Sequence, residues 1–189
     1  TIATVVSDRR SRATRGACER GVICGVPLAL ESFRILDTKS SIRVDREDGS
    51  SVRAGDPVLF VTGHARGLLS AERVALNFLQ HLSGIASLTA RYVEAVKGTG
   101  AKILDTRKTT PGWRALEKYA VRCGGGTNHR MNLATGVLIK DNHLAALDGD
   151  VAKAVSRARD LAPKGVKIEV ECDNIEQVAS KTPGVIPAD

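Results

Sequence analysis

Hydrophobic residues follow two different rhythms along the chain. In its first third they fall in short runs, TIATVVS, GVICGVPLAL, SIRVD, SVRAG and PVLFVTGHA, rich in β-branched side chains and bounded by Gly, Asp and Pro. Runs of this kind predict strands. Glu47-Asp48-Gly49-Ser50 and Ala54-Gly55-Asp56-Pro57 carry the residue types that turns require. The rhythm then becomes helical. Val74, Leu76, Leu79, Leu82, Ile85, Leu88, Tyr92, Val93 and Val96 recur at the spacing of one broad apolar helix face. Ser70 is the predicted N-cap, with Arg73 rather than Glu three residues on, so no capping box is expected. Gly84 predicts a kink or a break into two helices, and Gly98 and Gly100 the end of the element.

From residue 101 strands and helices alternate. AKILDT, GVLIKD, KIEVEC and VIPAD read as strands, with PGWRALEKYAVR, DVAKAVSRARDLA and NIEQVASK as helices between them. That order predicts a parallel sheet, doubly wound or closed as a barrel. The barrel is favoured because the first three strands end in polar, chemically capable residues, as active sites at the C-terminal ends of barrel strands require. A closed barrel needs about eight strands. Four predict a barrel truncated in this chain, by residues beyond Asp189 or by a sheet completed in another way. The expected organisation is α/β. A β-rich sandwich domain, incomplete at its start, covers 1–69, connecting helices cover 70–100, and the first part of an open (β/α) barrel covers 101–189.

Composition narrows the class. With 42% hydrophobic and 26% charged residues among 189, the chain is expected to be soluble and globular. No apolar run approaches the roughly 20 residues of a membrane span, and the N-terminus lacks the order of a signal peptide. Cys18, Cys24, Cys123 and Cys172 are scattered without CxxC spacing. They read as reduced thiols of a cytoplasmic protein, and no zinc site is expected. The net charge of +7 and pI near 9.5 fit nucleic-acid binding, but aromatics at 3% leave few stacking platforms and no basic arm is present. No nucleic-acid partner and no membrane association are therefore expected.

The charge is concentrated. From Lys102 to His143 stand eight Lys/Arg (Lys102, Arg107, Lys108, Arg114, Lys118, Arg122, Arg130, Lys140) against three acids (Asp105, Glu117, Asp141), an excess of five. Arg107 and Lys108 follow a strand directly; Arg suits a carboxylate or phosphate bidentately and Lys adds a compact charge. A solvated surface pair is the plainer alternative. Gly124-Gly125-Gly126 lets backbone approach an anion closely, with His129 and Arg130 adding donors, although a flexible linker also fits. Lys140 ends the apolar run GVLI, so partial burial is expected, with Asp141 or a ligand anion as its partner. A lone histidine such as His143 is more often structural than a metal ligand. Glu169 and Glu171 share one strand face, opposed by lysines or arginines or holding Mg²⁺ for a pyrophosphate substrate. Glu72 suits a helix start and Arg73 does not, a mismatch that points Arg73 toward a ligand or partner chain. Together these features predict a pocket for a small polyanion.

SAERVALNFLQHLSGIA, DTRKTTPGWR, GGGTNHR and LIKDNH, in this order, resemble the quinolinate phosphoribosyltransferase family, and the similarity runs from residue 1 to about residue 180. Each motif alone is weak; the four together are highly specific. The resemblance implies an N-terminal α/β sandwich domain, a C-terminal open α/β barrel, and a homodimer in which one subunit's N-terminal part closes the other's site. It implies transfer of phosphoribose from phosphoribosyl pyrophosphate, with Mg²⁺, to quinolinate. Pyrophosphate and CO₂ are released, and the product is nicotinate mononucleotide on the route to NAD. It implies that Arg73 reaches quinolinate from the neighbouring subunit. By the same resemblance, Thr106, Arg107 and Lys108 are expected to bind carboxylates and phosphate, and His129 and Arg130 to form the NHR pair, with Arg130 on a carboxylate. It further implies Lys140 at the phosphoribosyl/quinolinate junction and Glu169 on ribose or metal, with Asp189 as the candidate for the next strand's aspartate. Lys108, Lys140 and Glu169 carry the catalytic roles, and no residue is assigned as a resident metal ligand. Thr135 stands where the family usually has an acid. A non-catalytic anion-binding homologue and a nicotinate phosphoribosyltransferase are the alternatives. Replacing Arg107 by Ala is expected to weaken quinolinate binding by about 1.5–3 kcal/mol, the range of a charged hydrogen bond, measured by titration calorimetry; unchanged affinity removes Arg107 from the site.

Overall fold

The computed structural model describes residues 9–179 and the backbone of 186–187. The chain forms two compact units, Thr1–His129 and Arg130–Asp189. The expected strand TIATVVS lies outside the described residues, as does Asp189.

In the first unit, β1 (Arg10–Gly16), β5 (Pro57–His64) and β3 (Ser41–Val44) form an antiparallel sheet in the order β1-β5-β3. Ala13 and Ile42 both lie opposite Val61. β2 (Gly21–Val22) and β4 (Ser51–Val52) make a second, two-stranded antiparallel pair. The central strand β5 carries the core residues Val58, Leu59 and Val61. They pack with Val26, Ala29 and Phe33 of helix α1 (Val26–Leu36) and with Leu68, Ala71, Ala75 and Leu79 of helix α2 (Ala65–Ala95). Helices covering a sheet give the expected α/β sandwich. A second apolar cluster joins Leu82 and Ala86 of α2 to Val22, Cys24 and Ala120, the last from helix α3 (Arg114–Cys123).

SIRVD, SVRAG and PVLFVTGHA form strands as expected, but four other features differ. GVICGVPLAL is a strand only at Gly21–Val22, and from Val26 it is helical. Val26, Ala29 and Phe33 share one helix face, Pro27 sits in the first turn, and the free Val26 N–H donates to Asp48 Oδ1 at 2.9 Å. This cap comes from a residue distant in sequence, which no local pattern announces. The polar segment RSRATRG is a strand, an alternating exposed and half-buried partner of β5. Helix α2 starts at Ala65 and not after Ser70, and it runs through Gly84 without a break. Gly84 faces open space, so its cost is only that of helix propensity, about 1 kcal/mol. Because Arg73 lies well inside the helix, the expected charge mismatch at a helix start does not exist. Finally, AKILDT is not a strand: a single parallel bridge joins Leu104 to Thr127.

Asp37, just after α1, ties the junction of β5 and α2. Its carboxylate accepts from the N–H of His64 at 2.7 Å and of Lys39 at 3.1 Å, and lies 3.1 Å from His64 Nδ1. These bonds, the His64 N–H foremost, outweigh burial and hold the carboxyl below its usual range. Their stabilisation is present above the ordinary carboxylate pKa and is lost as pH falls through the depressed one.

The second unit alternates as expected. β6 (Val137–Ile139), β7 (Ile168–Val170) and β8 (Ile186–Pro187) form a parallel sheet in that order. Between them run helices α4 (Asp141–Ala145), α5 (Val151–Leu161) and α6 (Ile175–Ala179). Asp150 caps α5 by accepting from Lys153 N–H at 2.9 Å. Ile139, Val170, Leu144, Val151, Ala154 and Val155 make the core. Pro187 lies in β8, at the sheet edge among the described strands, where a missing N–H is tolerated. Among the described residues no helix is long and apolar enough to cross a membrane.

Leu59 is fully buried at the centre of the first core. Replacing it with Ala should cost about 2–5 kcal/mol, the range for deleting a buried Leu side chain, read from urea denaturation of the whole chain. A loss under about 1 kcal/mol would contradict this packing.

Candidate functional site

The first unit brings the DTRK and NHR motifs together through one carboxylate. Asp105 forms a buried ion pair with Lys118 of α3; their side chains are 7% and 3% exposed. The same carboxylate accepts from the N–H of His129 at 2.9 Å and from the side-chain amide of Asn128. Asn128 also donates to the Lys118 carbonyl at 2.8 Å and accepts from Arg122 at 2.7 Å, so every polar atom of its amide is engaged. Residues 105–108 and 127–129 are thus held side by side, with the Leu104–Thr127 bridge beneath them.

The loop after Asp105 is fixed from its far end. Arg114 donates to the Arg107 carbonyl at 3.2 Å and to Thr109 Oγ1 at 3.1 Å. Glu117 accepts from Thr110 N–H at 3.1 Å, and its other oxygen lies 2.9 Å from His81 Nε2. Burial opposes the charge on Glu117, but the bonds from Thr110 and His81 outweigh it and hold its carboxyl below the usual range. Trp113 stacks on Phe78, ring centres 5.3 Å apart, and meets the His81 ring edge-on at 5.1 Å. Within this frame Thr106 Oγ1 accepts from Lys108 N–H at 3.1 Å. The side chains of Arg107 and Lys108 have no acidic partner among the described residues. The two acids of this stretch, Asp105 and Glu117, are both engaged elsewhere.

The Gly-rich turn is a packed element rather than a loose linker. A Cβ on Gly124 would lie 2.3 Å from the Ala86 carbonyl oxygen, and one on Gly126 would lie 2.8 Å from the Thr89 methyl. Glycine is required here so that the turn can lie against α2.

In the second unit Arg130 donates to the Gly136 carbonyl at 3.0 Å. Lys140 is exposed, not half-buried as expected, and its partner is Glu171 at 3.0 Å rather than Asp141. His143 is structural: its Nδ1 accepts from Lys140 N–H at 2.8 Å, closing the first turn of α4. Glu169 is buried at 6% exposure and pairs with Lys167; Glu171 lies beyond the strand end. Of the two, only Glu171 is opposed by a lysine of the basic segment, Lys140; Glu169 takes Lys167 from its own segment. Arg73 is exposed on α2 with no ion pair among the described residues, while the neighbouring Glu72 pairs with Arg15.

The sequence reading missed Lys118, Asn128, His81 and Glu117 as site-builders. A lysine on the buried side of an amphipathic helix, at the level of Ala120, was the one signal available for Lys118. For His81 and Glu117, 36 residues apart, no spacing pattern exists.

Comparison with known proteins covers nearly the whole chain. The family model for the N-terminal domain of quinolinate phosphoribosyl transferase matches residues 1–83, and that for its C-terminal domain matches residues 85–184. The carboxylating nicotinate-nucleotide pyrophosphorylase of Mycobacterium leprae is 52% identical over 164 residues, 85% of this chain and 56% of that protein. The chloroplastic enzyme of that name from Arabidopsis thaliana is 41% identical over 94% of this chain and 51% of its own length. The crystal structure of NadC from Streptococcus pyogenes superposes with a TM-score of 0.87 at 44% identity, covering 93% of this chain and 62% of that one. The nicotinate-nucleotide pyrophosphorylase structure from Ehrlichia chaffeensis gives 0.88 at 41% identity, covering 94% and 64%. The chain therefore spans a little more than half the length of these relatives.

The Asp105–Lys118 pair makes a direct prediction. Lys118→Met leaves a buried carboxylate without its cation and should cost about 3–5 kcal/mol. In a double-mutant cycle with Asp105→Leu the two losses should be strongly non-additive. Additive losses of surface size would show that the pair is not buried as described.

Proposed function

The chain belongs to the quinolinate phosphoribosyl transferase family, and from that premise we propose that it carries out decarboxylating phosphoribosyl transfer to quinolinate. In this reading the ring nitrogen of quinolinate forms a bond to C1 of the ribose as the bond to pyrophosphate breaks. The bond to the carboxylate beside the nitrogen then breaks, CO₂ leaves, and the electron pair stays on the ring carbon, facing the positive ring nitrogen, until a proton is taken up. The product is nicotinate mononucleotide. No side-chain nucleophile is needed; positioning and electrostatics supply the protein's share.

One observation carries the proposal. Among the described residues Arg107 and Lys108 are cations without acidic partners, on a loop whose own acids are engaged in building it. Such a loop favours a dianionic ring acid and a multiply charged phosphate ester over neutral ligands. Thr106, Arg107, Lys108 and His129 are assigned to substrate anions, and Arg130 to a carboxylate of quinolinate. Lys140 and Glu169 are assigned to the phosphoribosyl group, and Asp189 to the role its family counterpart plays. Mg²⁺ accompanies phosphoribosyl pyrophosphate. Glu169 and Glu171 are suitable oxygen donors but already face Lys167 and Lys140, so the ion would be held mainly by the phosphate oxygens it arrives with. Arg73, exposed and without an ion pair among the described residues, fits a homodimer in which it serves the partner subunit, and a cytoplasmic setting fits the free thiols.

The test is release of labelled CO₂ from quinolinate by the full-length protein with phosphoribosyl pyrophosphate and Mg²⁺. Release that falls at least tenfold in Arg107→Ala or Lys108→Ala is expected. Tight quinolinate binding without release would make the chain a non-catalytic anion binder. Binding of nicotinate but not quinolinate would make it a nicotinate phosphoribosyltransferase.

A further inference from the structure

Two of the four cysteines, remote in sequence, meet in a group that contains none of the residues assigned above. Cys24 lies between β2 and α1, Cys123 is the last residue of α3, and Asp48 sits in the turn before β4. Their thiol sulfurs and a carboxylate oxygen all lie within 4.8 Å of one another. Cys24 is fully buried; Cys123 and Asp48 are half-buried. Nothing in the sequence announces this group, because ligands 24, 48 and 123 share no short spacing.

The three segments are already ordered. Cys24 N–H donates to Ser83 Oγ at 2.9 Å, and Ser83 O–H donates back to the Cys24 carbonyl at 3.1 Å. Ile23 and Gly49–Ser50 exchange backbone bonds of 2.8 and 2.9 Å. Asp48 Oδ1 accepts from Val26 N–H at 2.9 Å and Oδ2 from the Tyr119 hydroxyl at 3.0 Å. No Lys, Arg or His neutralises Asp48 among the described residues. Burial first, then the Asp48 charge, pushes the Cys24 thiol up; burial, Cys123 and Asp48 likewise push Tyr119 up. Two thiols and a carboxylate thus lie close together on three segments whose backbones are already fixed, the arrangement that binding of one cation needs.

We propose that Cys24, Cys123 and Asp48 form a binding site for one thiophilic divalent cation of the zinc class. Two sulfurs and one oxygen select such an ion over Mg²⁺ or Ca²⁺, which take oxygen ligands. Tetrahedral zinc with bonds of about 2.0–2.3 Å places its ligands roughly 3.5–3.8 Å apart, so the groups need close by only about 1 Å. Water takes the fourth position, and Tyr119 stays as the outer partner that orients the carboxylate. The ion would clamp the end of α3 directly before the Gly124–Gly126 turn that leads to Asn128 and His129.

The experiment is a Co²⁺ titration of the reduced, metal-free, full-length protein. Expected is sulfur-to-cobalt charge-transfer absorption saturating at one ion per chain and abolished by equimolar Zn²⁺. Cys123→Ala and Cys24→Ser should each remove the band, Asp48→Asn should weaken binding at least tenfold, and Cys18→Ser should leave it unchanged. Circular dichroism checks that each variant is folded. Cys123→Ala, at a half-exposed position, remains decisive if Cys24→Ser does not fold. No band in the native protein, or a band that survives in folded Cys123→Ala, overturns the proposal. So does a Cys24–Cys123 disulfide whose full reduction restores both thiols without creating cobalt binding.

Discussion

Asp105 and Lys118 face each other almost wholly out of water, and the loop that carries Arg107 and Lys108 depends on that pair. Burying two charges costs several kcal/mol per ion unless their partners are close and their remaining hydrogen-bonding capacity is filled. Here the Asp105 carboxylate also takes the Asn128 amide and the His129 N–H. Those same bonds join residue 105 to residues 128 and 129, so satisfying the buried charge and aligning the two motifs are one event. The ion pair is better understood as a device for register than as a source of net stability.

Helix α2 is the surface on which this device is mounted. Its first half closes the sandwich core with Leu68, Ala71, Ala75 and Leu79; its second half carries Leu82 and Ala86 against α3. Small residues decide how near the Gly-rich turn can come. Gly124 and Gly126 meet the backbone at Ala86 and the side chain of Thr89, and any Cβ there would push the turn off the helix. Such a shift would move Asn128, and with it the bond to Asp105.

The legible parts of the fold were those with local causes. The runs SIRVD, SVRAG and PVLFVTGHA, the apolar face of α2 and the parallel alternation of β6, α5 and β7 all come from periodicity within one segment. What failed had remote causes. Val26 begins a helix because Asp48 caps it, and RSRATRG is a strand because β5 offers it a partner. Gly84 does not break α2 because the helix is held by packing on both sides of it. The site divided in the same way. The motifs singled out Arg107, Lys108, His129 and Arg130 as candidates, but the residues that brace the loop, Lys118, His81 and Glu117, became visible only in three dimensions. Lys140 shows the limit: adjacency suggested Asp141, while the parallel ladder delivered Glu171, whose N–H bonds the Ile139 carbonyl at 2.9 Å.

The electrostatics of the loop after Asp105 explain why its frame is so heavily braced. Arg114 keeps its charge while donating to neutral acceptors, and it does so on the backbone of Arg107 itself. Lys108 is the next residue, so two loop cations and the first residue of α3 lie together, and among the described residues no carboxylate pairs with Arg107 or Lys108. Like charges at this spacing repel, weakly where water screens them and more where it does not. A loop free to move would relieve the repulsion by splaying apart. The Glu117 carboxylate on Thr110 and His81, the Trp113 stack on Phe78 and the Asp105 knot prevent that. The bracing therefore keeps Arg107 and Lys108 side by side against their mutual repulsion, a cost that the surrounding hydrogen bonds and packing offset.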